Sequence, residues 1–181
     1  MEDFFTITEG SLDLPVVLSC DHAGHELPDR YATLGLSEEC LRGCPDAYDR
    51  GAAEIFAALR ARLDCHGIDN RLCRLLIDVN RYRDQETLIP THCGECEIPG
   101  NRDLDVAERE RRIEQYYMPY QRALLRLLRD CERRHGRAFL FAVHTMAEDH
   151  FGEHREMDFA VACRQGCPVA ARLAERIEGC G

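Results

Sequence analysis

LPVVLSC, residues 14–20, is an uninterrupted apolar run that ends in the polar turn DHAGHELP at residues 21–28. A short apolar run bounded by turn residues is typical of a strand buried in a sheet. Similar runs are LCRLLIDV at residues 72–79, AFLFAV at 138–143 and the shorter FAVAC at 159–163. We therefore expect four strands at these positions.

Helical patterns alternate with the apolar runs. Residues 47–63 and 169–177 place apolar side chains at helical intervals. Residues 104–134 form a long charged region that Met118-Pro119 interrupts, which predicts two helices or one kinked helix. Strands that alternate with helices indicate an α/β fold, and the length of 181 residues predicts a single domain over residues 1–181.

The composition excludes several classes of function. The net charge is −10, and all 23 basic residues are arginine, so the chain has no lysine for a Schiff base or a phosphate-binding loop. An acidic chain also lacks the basic surface that nucleic acids and anionic membranes require. Because no signal peptide or membrane-spanning run is recognisable, we expect a cytoplasmic protein.

The chain contains eleven cysteines, two of which form a C-x-x-C motif at Cys93 and Cys96. A structural zinc site would require a second pair of ligands. Cys163 and Cys167 are loosely spaced candidates for that pair, so reduced thiols or a local disulfide are favoured over a metal.

Polar residues follow three of the predicted strands: His22, the pair Asn80-Arg81, and His144. In open α/β sheets, ligands bind beyond the carboxyl ends of the strands. Two histidines and a carboxylate are the donors of a catalytic zinc site with one open position, although a histidine at a strand end is often satisfied by a backbone carbonyl. The arginine fits a substrate carboxylate, and its alternative role is an ion pair with an acidic helix.

The chain resembles the N-formylglutamate amidohydrolase family between about residues 15 and 165. Six motifs occur in the order seen in that family: SCDHAGHELP (19–28), YDRGA (48–52), IDVNR (77–81), IPGN (98–101), YMPY (117–120) and HTM (144–146). The resemblance implies a zinc carboxypeptidase-like fold of the phosphorylase/hydrolase-like type. That fold has three layers, α/β/α, with a mixed central sheet and one zinc ion at the carboxyl edge.

The resemblance also implies a set of metal ligands. His22 and His144 would be two of the zinc ligands. The third would be Asp49, which precedes the next helix, with His25 and Glu26 as the alternatives.

A set of substrate-binding residues is implied in the same way. Asn80 and Arg81 are similar to the pair that grips the substrate carboxylate in carboxypeptidase-like folds. Arg155 would hold a second carboxylate or the scissile carbonyl.

The function implied by the resemblance is zinc-dependent hydrolysis of the amide bond of a small anionic N-acyl amino acid, such as N-formylglutamate. Family members are usually longer and carry a C-terminal glutamate suited to proton transfer, so the domain is expected to be short at its C-terminus. Glu26 is the predicted replacement, with Glu148 or Asp149 as alternatives. A carboxypeptidase-like or other deacylating metallohydrolase, and a non-catalytic metal- or ligand-binding remnant, are the competing hypotheses.

Overall fold

The computed structural model describes residues 4–150, 152–163 and 167–179, which divide into two compact units, Met1–Met146 and Ala147–Gly181. The strands of the first unit are β1 (Phe5–Thr8), β2 (Val16–Cys20), β3 (His66–Asn70), β4 (His92–Cys93), β5 (Cys96–Glu97) and β6 (Phe139–Ala142). The main sheet has the strand order β1-β3-β2-β6, and β4 and β5 form a separate hairpin. β1 is antiparallel to β3, whereas β2 runs parallel to both β3 and β6, so the sheet is mixed.

The helices of the first unit are α1 (Glu38–Gly43), α2 (Ala52–Leu63), α3 (Val106–Arg112) and α4 (Met118–His135). Three short 3₁₀ turns span Asp29–Tyr31, Glu86–Leu88 and Pro99–Asn101. Side-chain oxygens cap two of the helices, because Ser37 accepts from the backbone N–H of Cys40 and Asp105 from that of Glu108. α4 ends at Gly136, whose φ of +68° is a conformation that favours glycine.

The sheet is covered by helices on both faces. Successive residues of a strand point to opposite faces, and on β2 they join two different hydrophobic clusters. Val17 belongs to the cluster that includes Tyr120 of α4, whereas Leu18 belongs to the cluster that includes Phe56 of α2. The predicted α/β fold with three layers and a mixed central sheet is therefore confirmed.

The strand predicted over residues 72–79 is wrong. The backbone there forms turns and loops instead, and the strand of this region is β3, His66–Asn70. Both segments are largely buried, and a buried apolar run gives the same sequence pattern whether or not its backbone pairs with a neighbour. β3 has a glycine at position 67, where a Cβ atom would come within 2.7 Å of the Phe56 ring, so this close packing of α2 requires glycine.

The structure refines two helix predictions. The helix predicted over residues 47–63 begins only at Ala52, because Asp49 and Gly51 form a turn before it. Of the two alternatives predicted around Met118-Pro119, two helices or one kinked helix, the structure shows one continuous helical region, in which a π-helical turn, Ile113–Tyr117, joins α3 to α4. Pro119 directly follows this π-helical turn, where the regular hydrogen-bond ladder of the α-helix is interrupted, so the helix tolerates its missing N–H.

The charged face of α3 is only partly solvated. Glu108 accepts hydrogen bonds from both Arg111 and Arg112, as its spacing predicts. Arg112, however, is 2% exposed and donates to the side chain of Asn101 and to the carbonyls of Leu76 and Gly100. This arginine therefore joins the helix to the buried loop over residues 72–79.

The second unit contains the hairpin strands β7 (Asp149–His150) and β8 (Glu153–His154) and the helix α5 (Pro168–Glu178). The predicted closing helix is thus confirmed. The strand predicted over residues 159–163 is wrong, since this segment is irregular and Phe159 is largely exposed. Within the part of the chain that the structure describes, no helix is both long enough and apolar enough to cross a membrane.

The C-x-x-C motif pairs with cysteines that the sequence did not single out. Cys93 forms a disulfide with Cys44, and the Sγ atom of Cys96 lies 2.7 Å from that of Cys40. The predicted second pair, Cys163 and Cys167, lies in the second unit, where both thiols are free.

Candidate metal centre

Two parallel strands deliver the two histidines to one edge of the sheet. β2 and β6 are hydrogen-bonded neighbours in which Ser19 pairs with Ala142, and the backbone N–H of Val143 donates to the Ser19 carbonyl. His22 and His144 each lie two residues beyond their strand, so the parallel pairing brings both to the same edge of the sheet. Their ring centroids are 5.1 Å apart, which confirms the expected convergence at the strand ends.

The turn before α2 brings Asp49 to the same place. The backbone N–H of Asp49 donates to the carbonyl of His22 over 3.0 Å, and the N–H of Ala52 donates to the carbonyl of Asp49. Gly51 completes the turn with a φ of +82°. The carboxylate is thereby held beside His22 by backbone hydrogen bonds as well as by its side chain.

The three side chains form a set of donors that fits a metal ion. Nδ1 of His144 lies 2.8 Å and Nδ1 of His22 lies 3.5 Å from Oδ2 of Asp49. One ligand atom from each residue lies within 4.8 Å of the others. His22 and Asp49 are buried and His144 is about one-third exposed, so the cluster is accessible from one side. Two imidazoles and one carboxylate leave an open coordination position for water or substrate.

Each histidine is backed by a further carboxylate on its other ring nitrogen. Nε2 of His22 lies 2.8 Å from Oδ1 of Asp78, and Nε2 of His144 lies 3.6 Å from Oδ2 of Asp21. The hydroxyl of Tyr120 donates to Asp21 in turn. Carboxylates in these positions fix the ring orientation and strengthen the other nitrogen as a ligand. Both aspartates lie inside the family motifs, but nothing in their sequence pattern pointed to this role.

When no metal is bound, the cluster favours the ionised carboxylates and the protonated imidazoles. Hydrogen bonds to Asp21 and Asp49 raise the pKa of His144 to about 9. Burial lowers the pKa of His22, but its hydrogen bonds to Asp49 and Asp78 outweigh burial and raise it overall. Burial acts to raise the pKa of each of the three aspartates, but the histidines and the other hydrogen-bonding and charged neighbours together lower it below its ordinary value. A metal would replace this positive charge.

Arg74 also contacts the cluster, although the sequence did not indicate this. Its Nη1 atom lies 3.2 Å from Oδ1 of Asp49 and 3.3 Å from Nδ1 of His22. It reaches this position from the buried loop over residues 72–79, which was wrongly predicted to be a strand.

Asn80 and Arg81 lie beside the cluster, although not at the end of a strand as predicted. The backbone N–H of Asn80 donates to Asp78, and its side-chain nitrogen lies 3.4 Å from Nε2 of His144. Nε of Arg81 lies 3.5 Å from Oδ2 of Asp78, and its side chain is 45% exposed. Both side chains therefore lie next to the cluster of His22, Asp49 and His144.

The remaining predicted site residues have other contacts. The His25 ring stacks on Tyr48 at 4.6 Å between centroids, and Oε1 of Glu26 accepts from Nε of Arg71 over 3.1 Å. Neither belongs to the cluster of possible ligands, which favours Asp49 as the third. Arg155, in the second unit, donates from its guanidinium to the carbonyl of Ala147 and from its backbone to that of Glu148.

Metal-free protein should lose stability as the pH rises from about 6.5 to about 9. The folded state raises the pKa of His144 to about 9 from about 6.5 in an unfolded chain. Its contribution to stability is therefore complete below pH 6.5 and is lost as the pH rises through 9. Urea unfolding of chelator-treated protein between pH 6 and 9.5 measures this. His144→Gln should lose less stability over that range, and an equal loss would contradict the assignment.

Comparisons with known proteins agree with this architecture. The family model for N-formylglutamate amidohydrolase matches residues 14–180, nearly the whole chain. The chain therefore belongs to the N-formylglutamate amidohydrolase family, as the six motifs predict.

Individual relatives are similar over part of their length. An N-formylglutamate deformylase of Pseudomonas putida is 29% identical over 178 residues, which cover 92% of this chain and 65% of that protein. A solved structure of an Agrobacterium tumefaciens gene product matches 86% of this chain and 61% of its own with a TM-score of 0.79 and 28% identity. The solved structure of an N-formylglutamate amidohydrolase from Ralstonia eutropha matches 78% of this chain and 56% of its own, with a TM-score of 0.66 and 26% identity. The chain thus spans less than two thirds of each of these proteins.

Proposed function

We propose that this protein is a zinc-dependent hydrolase that cleaves the amide bond of N-formylglutamate or a closely related N-acyl acidic amino acid. The observation that carries the proposal is the convergence of His22, Asp49 and His144, each histidine backed by a carboxylate, in a member of this family. The name of the P. putida relative supports the substrate. The products would be formate and the free amino acid.

The three ligands would be His22 and His144 through Nδ1 and Asp49 through a carboxylate oxygen. A bound Zn²⁺ supplies a nucleophilic water at neutral pH and polarises the amide carbonyl. Asp78 and Asp21 hold the two imidazoles in the orientation that leaves Nδ1 for the metal. The hydroxyl of Tyr120 donates to Asp21 and holds it in place.

The substrate would bind through its carboxylates. Arg81 presents a planar guanidinium with two parallel donors that match a carboxylate, and Asn80 adds a neutral donor next to His144. The role that the resemblance implies for Arg155, binding of a second carboxylate or of the scissile carbonyl, stays a prediction. Since the chain has no lysine, arginine is its only strongly basic side chain for this task.

Glu26 is proposed to carry the proton to the leaving amine. It lies four residues after His22 on the same loop, and its carboxylate is half exposed. Arg71 holds one carboxylate oxygen of Glu26, which fixes the position of the side chain. A positioned carboxylate of this kind typically contributes 10²- to 10⁴-fold to a rate, by general acid–base catalysis.

A substrate panel tests the proposed function. Zinc-loaded protein should release formate from N-formyl-L-glutamate, and it should act more slowly on N-formyl-L-glutamine, which lacks the side-chain carboxylate. Preferential release of C-terminal residues from peptides would favour the carboxypeptidase-like alternative. Zinc binding without turnover of any N-acyl amino acid would overturn the proposal in favour of a non-catalytic remnant.

Arg81→Ala should raise KM for N-formylglutamate about 10- to 100-fold and leave kcat nearly unchanged. A hydrogen bond between charged groups contributes about 1.5–3 kcal/mol, and about 1.4 kcal/mol corresponds to a factor of ten in binding. Arg83→Ala is the matched control, because Arg83 forms an exposed ion pair with Glu110. Equal values of KM in the two variants would remove Arg81 from the substrate site.

A further inference from the structure

Four cysteines from two separate segments meet away from the proposed catalytic centre. Cys40 and Cys44 belong to α1 and its C-terminal cap, and Cys93 and Cys96 belong to the β4–β5 hairpin. Cys44 is bonded to Cys93, with 6.2 Å between their Cα atoms, and Sγ of Cys40 lies 2.7 Å from Sγ of Cys96. Each cysteine of the helix therefore contacts one cysteine of the hairpin.

The local structure of each segment places its two cysteine side chains on the same face. Residues four apart on a helix share one face, with Cβ atoms about 5–6 Å apart, which describes Cys40 and Cys44. Cys93 and Cys96 lie directly opposite each other in the hairpin, where Cβ atoms are about 4.5–5.5 Å apart. The turn between them uses Gly94 at a φ of +58°. Both spacings suit the sulfur separation of about 3.8 Å that follows from four Zn–S bonds of about 2.3 Å.

The surroundings suit a closed structural site rather than a reactive one. Cys44 and Cys93 are 4% and 5% exposed and belong to the main hydrophobic cluster, while Cys40 and Cys96 pack against its edge. A structural zinc site has four protein ligands and no open position. The C-x-x-C hairpin and the C-x-x-x-C helix supply these ligands within the first unit, without Cys163 or Cys167.

We propose that Cys40, Cys44, Cys93 and Cys96 form a structural site for one Zn²⁺ ion bound by four thiolates. The ion would join α1 to the β4–β5 hairpin. The site is distinct from the cluster of His22, Asp49 and His144, and it requires no enzymatic activity.

The metal-bound state and the disulfide-bonded state are linked by a balanced reaction. Two molecules of a low-molecular-weight thiol transfer two electrons and two protons to the Cys44–Cys93 bond, which yields two protein thiols and one small-molecule disulfide. Binding of Zn²⁺ by the four thiols then releases four protons. The cluster therefore exchanges a disulfide for a metal when thiols are abundant.

The proposed ion would also help to hold the catalytic centre. Cys44 lies five residues before Asp49, and β5 leads directly into Asn101, whose side chain donates to the carbonyls of Leu75 and Pro90. An ion that joins α1 to the hairpin would therefore restrain the segments that lead to Asp49 and to Asn101. Zinc at this site should raise the melting temperature of protein that has no catalytic metal.

Cobalt substitution tests the proposal without an activity assay. His144→Ala protein is first reduced with excess thiol and freed of metal, and the reductant is then removed under inert gas. The protein is then titrated with Co²⁺. We expect an intense thiolate-to-cobalt charge-transfer absorption that saturates at one ion per chain and disappears when Zn²⁺ is added. Histidine and carboxylate ligands give no such band, so failure of this site is distinguishable from failure of the proposed catalytic site.

Cysteine variants and alkylation complete the test. Cys40→Ser and Cys96→Ser should weaken the absorption strongly, whereas Cys163→Ser, at an exposed thiol of the second unit, should leave it unchanged. In the unsubstituted protein, Zn²⁺ should protect all four cysteines from alkylation, a readout that does not depend on the folding of a variant. Absence of the band, its persistence in both serine variants, or two stable disulfides in place of zinc protection would overturn the proposal.

Discussion

His144→Ala should remove the catalytic metal and lower kcat/KM for N-formylglutamate by about 10³-fold or more. Three protein ligands are the usual minimum for a catalytic zinc site, and this variant leaves only His22 and Asp49. Bound metal contributes several kcal/mol to stabilising the transition state, and each 1.36 kcal/mol is worth about tenfold in rate. Metal content and formate release are measured on the same preparation.

His25→Ala is the matched control for this prediction. His25 is the alternative third ligand from the sequence, but in the structure its ring stacks on Tyr48. The variant should keep its metal and most of its activity, whereas Asp49→Ala should behave like His144→Ala. If His25→Ala lost the metal and Asp49→Ala retained it, the assignment of the third ligand would be wrong.

Glu26→Gln should lower kcat by about 10²- to 10⁴-fold while metal content and KM remain nearly unchanged. The amide keeps the size of the side chain and can still contact Arg71, but it cannot take up and release a proton at neutral pH. Steady-state kinetics on zinc-loaded protein separate the two parameters.

Arg71→Ala separates proton transfer from loop positioning. This variant removes the hydrogen bond to Glu26 but keeps the carboxylate, so it should reduce kcat much less than Glu26→Gln. Equal losses in both variants would indicate that the ion pair only holds the loop. An unchanged kcat in Glu26→Gln would show that another group carries the proton.

The sequence predicted the parts of the site that follow from local patterns. The segments that end at His22 and His144 are apolar runs followed by polar residues. In the structure they form the parallel strands β2 and β6, and both histidines follow these strands at the same edge of the sheet. Asp49 became a candidate ligand through the family resemblance, and the structure places its carboxylate next to both histidines.

The sequence did not predict contacts that depend on a buried loop. Residues 72–79 resemble a strand because burial alone selects apolar side chains, and the error concealed how Arg74 and Asp78 reach His22. The sequence likewise did not predict the hydrogen bond between Asp21 and Tyr120, which are 99 residues apart. Cys40 and Cys44 were missed for the same reason, since only the packing of α1 against a distant hairpin brings the four thiols together.

The dependence of formate release on metal tests the central claim most directly. Protein stripped by a chelator, with metal removal verified by elemental analysis, is assayed on N-formyl-L-glutamate before and after Zn²⁺ is returned. We predict that stripping abolishes formate release and that Zn²⁺ restores it in the unsubstituted chain but not in His144→Ala. Full activity in the verified metal-free protein would contradict the account.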